Sequence, residues 1–294
     1  MLIDKLVVVG FGLIGASLAS ALKQAGQCRE VIGIARSDFT RTNALQLKLA
    51  DRCYQDIEQL PDTLTAKDLV VVAVPTLSIE KVFNSLAKTL NDEVTITDCA
   101  SVKGSVYEAA KIAWGNFPPQ LVLGHPIAGS EQSGVTAAND ELFKQHKVIL
   151  TPVDVDQRLH IERVSQMWQY AGADVLQMPV EEHDIVLAAT SHLPHVIAYS
   201  LVDTLANDEE NENIFRYAAG GFKDFTRIAS SDPTMWKDIM LANRVSILQA
   251  LDKFDNNLRG LRQLIEQSDG EQMQTVFARA KQARDNFLTK QSKD

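Results

Sequence analysis

Apolar runs of five to seven residues alternate with helical segments over the first 180 residues. The runs are rich in β-branched residues, and continuous apolar runs between helices are typical of strands that are buried on both faces of a sheet. We predict strands at 5–10, 31–36, 68–74, 94–98, 121–125, 147–153 and 173–178. The pattern therefore predicts an α/β domain whose sheet is covered by helices on both sides.

The pattern changes near residue 180. From Glu182 onward only helical periodicity remains, including an apolar stripe that Asp255 interrupts: Val245, Leu248, Leu251, Leu258, Leu261 and Ile265. The polar stretch 207–213 is interpreted as an exposed turn between helices. We therefore predict a Rossmann-type domain over residues 1–180 and an all-α domain over 181–294.

A glycine-rich motif follows the first predicted strand directly and opens a helix that stops at Gly26. Gly10, Gly12 and Gly15 form G-x-G-x-x-G. The first glycine permits a tight turn, the second lets the backbone approach a pyrophosphate, and the third allows close packing of helix on strand. The motif in this context predicts dinucleotide binding. Five further residues belong to the candidate cofactor-binding set: Leu13, Ile14, Val74, Pro75 and Ser101.

The end of the second strand bears on the choice of coenzyme. NAD enzymes usually place Asp or Glu there to bind the ribose hydroxyls, whereas this chain reads Ala35-Arg36-Ser37. Arg36 and Ser37 can hold a 2′-phosphate, and Asp38 comes one residue too late for the ribose. An Arg36 that merely covers the adenine is the alternative. NADP is therefore favoured, with NAD possible.

Composition and charge narrow the class of protein. The 294 residues are 45% hydrophobic and 23% charged, which is ordinary for a globular protein with two domains. A net charge of −9 argues against nucleic acid or an anionic membrane as partner, and an anionic ligand would need a local cluster of cations. We find no signal peptide and no apolar run near the length of a membrane span, so we expect a cytoplasmic location. Three scattered cysteines indicate neither disulfides nor a thiolate metal site.

Three of the six histidines have constrained neighbours. His192 and His195 share a helix face, but no third ligand has suitable spacing, so we predict no metal. His125 ends the fifth predicted strand, and Ser101 follows the strand before it, so both should lie at the edge where parallel sheets bind ligands. A neutral imidazole there can take a proton from an alcohol that faces nicotinamide. Ser101 also suits a helix N-cap, and His183 is interpreted as a helix-start histidine.

Five ordered segments carry a resemblance to a known family: "GFGLIGASLA", "TDCASVKG", "GHPIAGSEQSGV", "TSHLPHVIAYSLV" and "GGFKDFTRIASSDPTMWKDI". Together they resemble the prephenate/arogenate dehydrogenases of tyrosine biosynthesis. The resemblance implies oxidative decarboxylation of a cyclohexadiene dicarboxylate, with hydride transfer to NAD(P). It also implies a homodimer formed through the helical domain.

The resemblance further implies roles for individual residues. His125 would be the base, and Ser101 would contact both His125 and the nicotinamide. Arg227 would bind a substrate carboxylate. The implied surroundings of Arg227 are His195 and the Gly220 backbone, Glu131 and Asp224 as ionic partners, and His192 at the entrance.

Lys223 and Arg227 are four residues apart and would form the required cation cluster on one helix face. The flanking glycines and phenylalanines favour a buried site over an exposed ion pair with Asp224. Trp236 is interpreted as packing, and the pKa of His125 is expected near the free imidazole value of about 6.5.

Two alternatives remain at this stage. One is a β-hydroxyacid dehydrogenase, which would use a helical-domain lysine, for which Lys223 is the candidate. The other is a non-catalytic NADP-sensing module, which would have no need for His125, Ser101 and Arg227 together.

Overall fold

The computed structural model describes residues 1–60, 63–130, 132–154, 157–208 and 214–291. The chain forms two compact units, Met1–Arg244 and Val245–Asp294. The first unit thus contains the sheet together with the first part of the helical region. The domain boundary that the sequence predicts at residue 180 marks the change from strands to helices, and as a division between domains it stays a prediction.

The sheet has eight strands in the order β3-β2-β1-β4-β5-β6-β7-β8. The strands are Ile3–Val9 (β1), Cys28–Ile34 (β2), Arg52–Tyr54 (β3), Leu69–Val72 (β4), Thr95–Asp98 (β5), Leu121–Pro126 (β6), Lys147–Thr151 (β7) and Asp174–Gln177 (β8). Neighbours are parallel except β6 and β7, which pair antiparallel. The seven predicted strands are present. The sequence missed β3, which is three residues long and half-buried, so His125 lies on the sixth strand instead of the fifth.

Helices cover the sheet and fill the C-terminal region, as predicted. Among the described residues they are Leu13–Gln24 (α1), Asp38–Gln46 (α2), Ile79–Thr89 (α3), Gly104–Trp114 (α4), Arg158–Tyr170 (α5), Val180–Leu187 (α6), Leu193–Ala206 (α7), Gly220–Thr226 (α8), Pro233–Ala242 (α9), Arg244–Glu266 (α10) and Gly270–Gln291 (α11). A π-helical segment, Ala188–His192, joins α6 to α7. Most of the predicted turn at 207–213 lies outside the described residues.

The core lies on both faces of the sheet. Successive residues of β1 alternate between two clusters, with Leu6 and Val8 in one and Val7 and Val9 in the other. All four side chains are buried. Because strand side chains point alternately to opposite faces, this division confirms the predicted sheet with helices on both sides.

The glycine turn between β1 and α1 depends on the absence of side chains. Gly10 has φ +94°, and a Cβ there would lie 2.5 Å from the Ala73 carbonyl oxygen. A Cβ on Gly15 would lie 2.6 Å from both the Gly10 oxygen and Val8 Cγ1. These contacts are the tight turn and the close helix-to-strand packing that the motif predicts.

One helical run, Val180–Ala206, is long and apolar enough to cross a membrane by length and composition. The expectation of no such run was therefore wrong, because residues 185–202 contain no Asp, Glu, Lys or Arg. In the fold, His183 and Asp184 at the start of the run and His192 in its middle are buried among polar partners. Only 22% of the apolar window is buried in the single chain.

Helix α10 also leaves apolar side chains exposed. Much of its predicted apolar stripe faces solvent in the single chain, at Val245, Leu248, Leu258 and Ile265. Isolated exposed apolar residues are ordinary on protein surfaces, but several of them along one long helix are typical of an interaction surface.

Replacing Gly15 with Ala should destabilise the fold. The new methyl group would meet a backbone oxygen and a buried valine at 2.6 Å, so we expect the free energy of unfolding to fall by about 1–3 kcal/mol despite the better helix propensity of Ala. Denaturant unfolding measures this change.

Gly12→Ala is the matched control. No atom of the described residues lies within 4 Å of a Cβ at Gly12, whose φ is −87°, so its stability should change by less than about 0.5 kcal/mol. Equal unfolding midpoints for the two variants would contradict the packing role of Gly15.

Candidate active site

His125 lies near the end of β6 and is buried, with 8% of its surface exposed. Its Nδ1 lies 2.9 Å from Nε2 of His183, on the first turns of α6. The two rings meet edge to face, with centroids 5.1 Å apart. β6 is parallel to β5, so His125 stands at the carboxyl edge of these strands, where open α/β sheets bind their ligands.

Ser101 does not hydrogen-bond to His125 within the described part of the chain, and His183 occupies the position at His125 Nδ1 instead. The N-cap expected at Ser101 is also wrong, because α4 begins at Gly104 and no side chain of its own segment caps it. Ser101 remains half-buried after β5. Its catalytic role stays a prediction.

Asp184 supplies the hydrogen-bond acceptors for the backbone amides at the start of α4, which has no capping side chain of its own. Its Oδ1 accepts a hydrogen bond from the Lys103 amide at 2.8 Å, and its Oδ2 accepts one from the Gly104 amide at 2.8 Å. Oδ1 also lies 2.8 Å from His183 Nδ1. Two orphan amides of a helix start and one imidazole therefore converge on a single carboxylate.

A buried ion pair holds the strand that carries His125. Lys103 and Asp98 are both fully buried and are paired side chain to side chain. Lys103 Nζ also donates to the Gly124 carbonyl at 2.7 Å, and Asp98 Oδ1 accepts from the Gly124 amide at 3.1 Å. The backbone immediately before His125 is thus fixed by two buried charged side chains.

The surroundings keep these histidines neutral. Burial, together with the neighbouring His183, Lys103 and His192, lowers the pKa of His125 well below its ordinary value. The expected pKa near 6.5 was therefore wrong. Burial also lowers the pKa of His183 and outweighs the opposite effect of Asp184. Burial alone would raise the pKa of Asp184, but its hydrogen bonds from His183, Lys103 and Gly104 lower it.

His192 is buried and does not line an entrance in the single chain, contrary to the expectation. The Asn243 amide nitrogen donates to the Asp184 carbonyl at 2.8 Å and lies 3.2 Å from His192 Nδ1. Burial lowers the pKa of His192 to about 4. A neutral His192 that accepts at Nδ1 carries its proton on Nε2.

His195 stacks on Trp236, with ring centroids 3.5 Å apart and an interplanar angle of 22°. Trp236 is therefore a packing residue, as predicted, but one that packs against a candidate site residue. His195 Nδ1 lies 2.9 Å from the Ser191 carbonyl, so it carries the proton, and a neutral ring leaves Nε2 as an acceptor. Burial lowers the pKa of His195, and the positive charge of Arg227 adds to this effect.

The candidate substrate residues on and after α8 are exposed in the single chain: Gly220, Lys223, Asp224 and Arg227. The prediction of a buried site here was wrong, since α8 has only seven residues and Phe225 is 53% exposed. Lys223 nevertheless lies within α8, and Arg227, four residues later, is the C-cap residue of the same helix. Glu131 lies outside the described residues.

The glycine turn fits a dinucleotide. Gly12 is the N-cap of α1 and has no side chain that could fill the space in front of the helix, whose first turn contains no acid. Leu13 and Ile14, which begin the helix, are half-buried, and Val74 lies beside Gly10, followed by an exposed Pro75. Helix-start amides that no side chain caps are available to a pyrophosphate.

At the end of β2, Arg36 and Ser37 are exposed, as a 2′-phosphate site requires. The Ser37 hydroxyl accepts from the Thr40 amide and so caps α2, which leaves its own proton free to donate. Asp38 is paired with Arg41, whose guanidinium also donates to the Arg36 carbonyl at 2.8 Å. The Asp38 carboxylate, the acid nearest to the end of β2, is therefore already paired with Arg41.

Sequence reasoning missed several side chains that surround His125: Asp98, Lys103, His183 as a ring partner, Asp184 and Asn243. Their spacing carries no motif. The available signals were a lysine next to Gly104 in "SVKG" and a His-Asp pair in a helical segment. Among the described residues, no group of three or more His, Cys, Asp or Glu side chains is arranged to hold a metal.

Two family models match nearly the whole chain. The prephenate dehydrogenase nucleotide-binding domain matches residues 18–177, and the prephenate dehydrogenase dimerization domain matches residues 179–279. The chain is 38% identical over 282 residues to a cyclohexadienyl dehydrogenase from Zymomonas mobilis, covering 95% of this chain and 94% of the relative. It is 36% identical over 295 residues to a Bacillus subtilis prephenate dehydrogenase, covering 98% of this chain and 77% of the relative.

Solved structures agree with these relatives. An Aquifex aeolicus prephenate dehydrogenase, in complex with hydroxyphenyl propionate and NAD⁺, superimposes with a TM-score of 0.89 at 33% identity and covers 97% of this chain and 98% of its own. A Synechocystis arogenate dehydrogenase superimposes with a TM-score of 0.79 at 26% identity, covering 96% and 99%. The chain therefore belongs to the prephenate dehydrogenase family and is an NAD(P)-dependent prephenate or arogenate dehydrogenase.

Proposed function

We propose that His125 is the general base of this oxidative decarboxylation. The observation that carries the proposal is a buried, neutral imidazole at the carboxyl edge of the sheet, bonded at Nδ1 and without a hydrogen bond at Nε2 among the described residues. Bound nicotinamide supplies the hydride acceptor. His125 Nε2 takes the proton of the ring hydroxyl as the carbinol carbon loses hydride, departure of carbon dioxide leaves the ring as a phenolate, and His125 Nε2 returns the proton to give the phenol.

The cationic residues after α7 are proposed to bind the substrate carboxylates. Arg227 supplies the charge, since its field reaches His195 and lowers the pKa of that ring. The neutral His195 offers an acceptor at Nε2 and is held in place by Trp236 and the Ser191 carbonyl. Lys223 lies one helical turn away from Arg227, and the Gly220 backbone begins the same helix. Asp224 and Glu131 are proposed to position Arg227 through ionic contacts.

We propose NADP as the preferred coenzyme. The support is an exposed Arg36 beside Ser37, whose hydroxyl proton can still donate a hydrogen bond. In addition, the Asp38 carboxylate is paired with Arg41. The Aquifex aeolicus structure contains NAD⁺, so the proposal distinguishes this chain from a relative that binds the other coenzyme.

We further propose a homodimer that forms through the helical region. The matching family model is a dimerization domain. A second copy would cover the exposed apolar side chains of α10 and the exposed Ile185 and Val186 of the run Val180–Ala206. Burial of that run against a second chain fits the cytoplasmic location that the composition predicts.

His125→Asn should lower kcat by about 10²- to 10⁴-fold, because the contribution of a general base exists only while the proton moves. Coenzyme affinity should change little. Steady-state kinetics and coenzyme titration measure both quantities. His146→Asn is the matched control, since His146 is exposed and its Nδ1 lies 3.0 Å from the Lys144 carbonyl. A kcat close to that of the control would show that the base lies elsewhere, with His195 the next candidate.

The wild-type pH profile should show its acid limb below the ordinary imidazole pKa of about 6.5. The base is active when neutral, and burial and nearby positive charge lower the pKa of His125. The rate should therefore stay level as the pH falls to about 6.5 and decline only at lower pH. A limb centred above pH 6.5 in kcat/KM would contradict a buried neutral base.

Arg36→Ala should lower the ratio of NADP to NAD efficiency by about ten- to a hundredfold, the effect of one charge-assisted hydrogen bond of about 1.5–3 kcal/mol. Initial rates with each coenzyme give the ratio. Arg29→Ala is the control, because Arg29 is an exposed arginine at the opposite end of β2 that pairs with Asp4. An unchanged ratio would remove Arg36 from the coenzyme site.

A Leu248→Glu, Leu258→Glu double variant should sediment as a monomer of 32.5 kDa, whereas the wild type should sediment as a dimer. Both leucines are about half exposed in the single chain, so the charges should disturb an intermolecular contact more than the helix itself. Gln249→Glu with Asn257→Glu adds the same charge at exposed polar positions. A dimeric leucine variant would place the interface on other residues.

A further inference from the structure

His183 and Asp184 are buried titratable residues to which the proposed reaction assigns no step. His183 is fully buried, and Asp184 is 8% exposed. They form a continuous chain of hydrogen bonds with His125, at 2.8 Å from Asp184 Oδ1 to His183 Nδ1 and at 2.9 Å from His183 Nε2 to His125 Nδ1. Buried polar chains of this kind specify proton positions as well as geometry.

The proton positions follow from Asp184, which stands at one end of this series of hydrogen bonds. Hydrogen bonds from the Lys103 and Gly104 amides and from His183 stabilise the ionised carboxylate. An ionised carboxylate only accepts, so His183 must carry a proton on Nδ1. A neutral His183 then has a lone pair on Nε2, and the 2.9 Å contact requires His125 to carry its proton on Nδ1.

We propose that His183, held by Asp184, is a positioning residue that fixes His125 in the Nδ1–H tautomer and thereby presents His125 Nε2 as the proton acceptor. This inference rests on the proposed role of His125 as base. The other tautomer of His125 would place a proton on Nε2 and could not accept one from the substrate hydroxyl.

The local sequence around α4 is built to let Asp184 reach this position. A Cβ on Gly104 would lie 2.8 Å from Asp184 Oδ2, so a glycine is what admits the carboxylate to the helix start. The Asp184 carbonyl in turn accepts from Asn243, which fixes the residue from its other side. Both the side chain and the backbone of Asp184 are therefore held by partners.

The same series of hydrogen bonds stabilises the positive charge that His125 would carry after proton transfer. The proton of the substrate hydroxyl forms a bond to His125 Nε2, and the resulting imidazolium keeps its Nδ1 proton in a hydrogen bond to neutral His183. The ionised Asp184 lies one ring further on. The negative charge of Asp184 stabilises the His125 imidazolium, which the positive charge of the buried Lys103 disfavours.

The test compares three variants by ¹⁵N-edited NMR of histidine tautomers and by steady-state kinetics, with His125 assigned from the His125→Asn spectrum. His183→Leu removes the acceptor. We expect His125 to shift to the Nε2–H tautomer and kcat to fall by roughly 10²-fold, since a general base supplies about that much or more and tautomer control is a large share of it. KM and coenzyme affinity should stay within about threefold, because the ground-state contacts are kept.

His183→Gln should restore function, because its side-chain oxygen can accept from His125 Nδ1. The Nδ1–H tautomer should persist, with kcat within about tenfold of wild type, since only the tautomer-fixing acceptor must be replaced. His183→Phe also removes the acceptor, keeps an aromatic ring of similar size, and serves if the leucine variant does not fold. It should give the same tautomer shift and the same loss of kcat as His183→Leu.

His160→Leu is the control, since it also removes a histidine with one hydrogen bond, to Thr95, and it lies on α5 away from His125. An Nδ1–H tautomer and a kcat within about threefold of wild type in His183→Leu or His183→Phe would overturn the inference, because a lost tautomer-fixing partner must cost more than that. If His125→Asn is inactive while these variants are active, only the positioning role fails. If His125→Asn is active, the proposed base itself fails.

Discussion

The carboxylate of Asp184 is the constraint on which the site depends. It satisfies two backbone amides at the start of α4 and one nitrogen of His183, and so ties a helix of the sheet layer to the first helix of the C-terminal region. Buried donors without acceptors each cost about 1–3 kcal/mol. Loss of this carboxylate would strand three donors at once, and the start of α6 would lose its fixed position relative to His125.

Neutral rings follow from this arrangement. His125, His183 and His192 are buried close to one another, so burial disfavours a positive charge on any of the three rings, and Lys103 adds to this effect at His125 and His183. The hydrogen-bond partners then assign opposite tautomers. His125 is left with a free acceptor at Nε2, whereas His192, which accepts from Asn243, is left with a donor. The same residue type thus provides a hydrogen-bond acceptor at one position and a donor at the other.

The sequence predicted those parts that depend on local pattern. Apolar runs located seven strands, and the glycine spacing located the turn whose crowding at Gly10 and Gly15 the structure confirms. Strand β3 was missed because three half-buried residues carry no periodic signal. The pairing of His183 with His125 and the role of Asp184 were missed because these partners lie 58 and 81 residues away, and only packing brings them together.

Errors on the substrate side have a different cause. The glycines and phenylalanines around Arg227 indicated burial, yet a seven-residue helix on one chain cannot bury both its apolar and its charged side chains. The same reasoning failed for Val180–Ala206, whose composition resembles a membrane span. Its His183, Asp184 and His192 side chains are buried among polar partners, and 22% of its apolar window is buried in the single chain. A pattern read from one sequence does not show which surfaces a second copy would cover.

The rigid and the exposed elements match the two proposed tasks, which are proton transfer at His125 and carboxylate binding near α8. His125 stands on a strand with neighbours on both sides, and the Asp98–Lys103 pair fixes the backbone just before it. Proton transfer requires such precision, since small displacements of a reacting group have large effects on rate. The cations near α8 sit on a short, exposed helix. Attraction of a carboxylate acts over several ångströms and tolerates such a support, so the proposed carboxylate-binding residues need less rigidity than the proposed base.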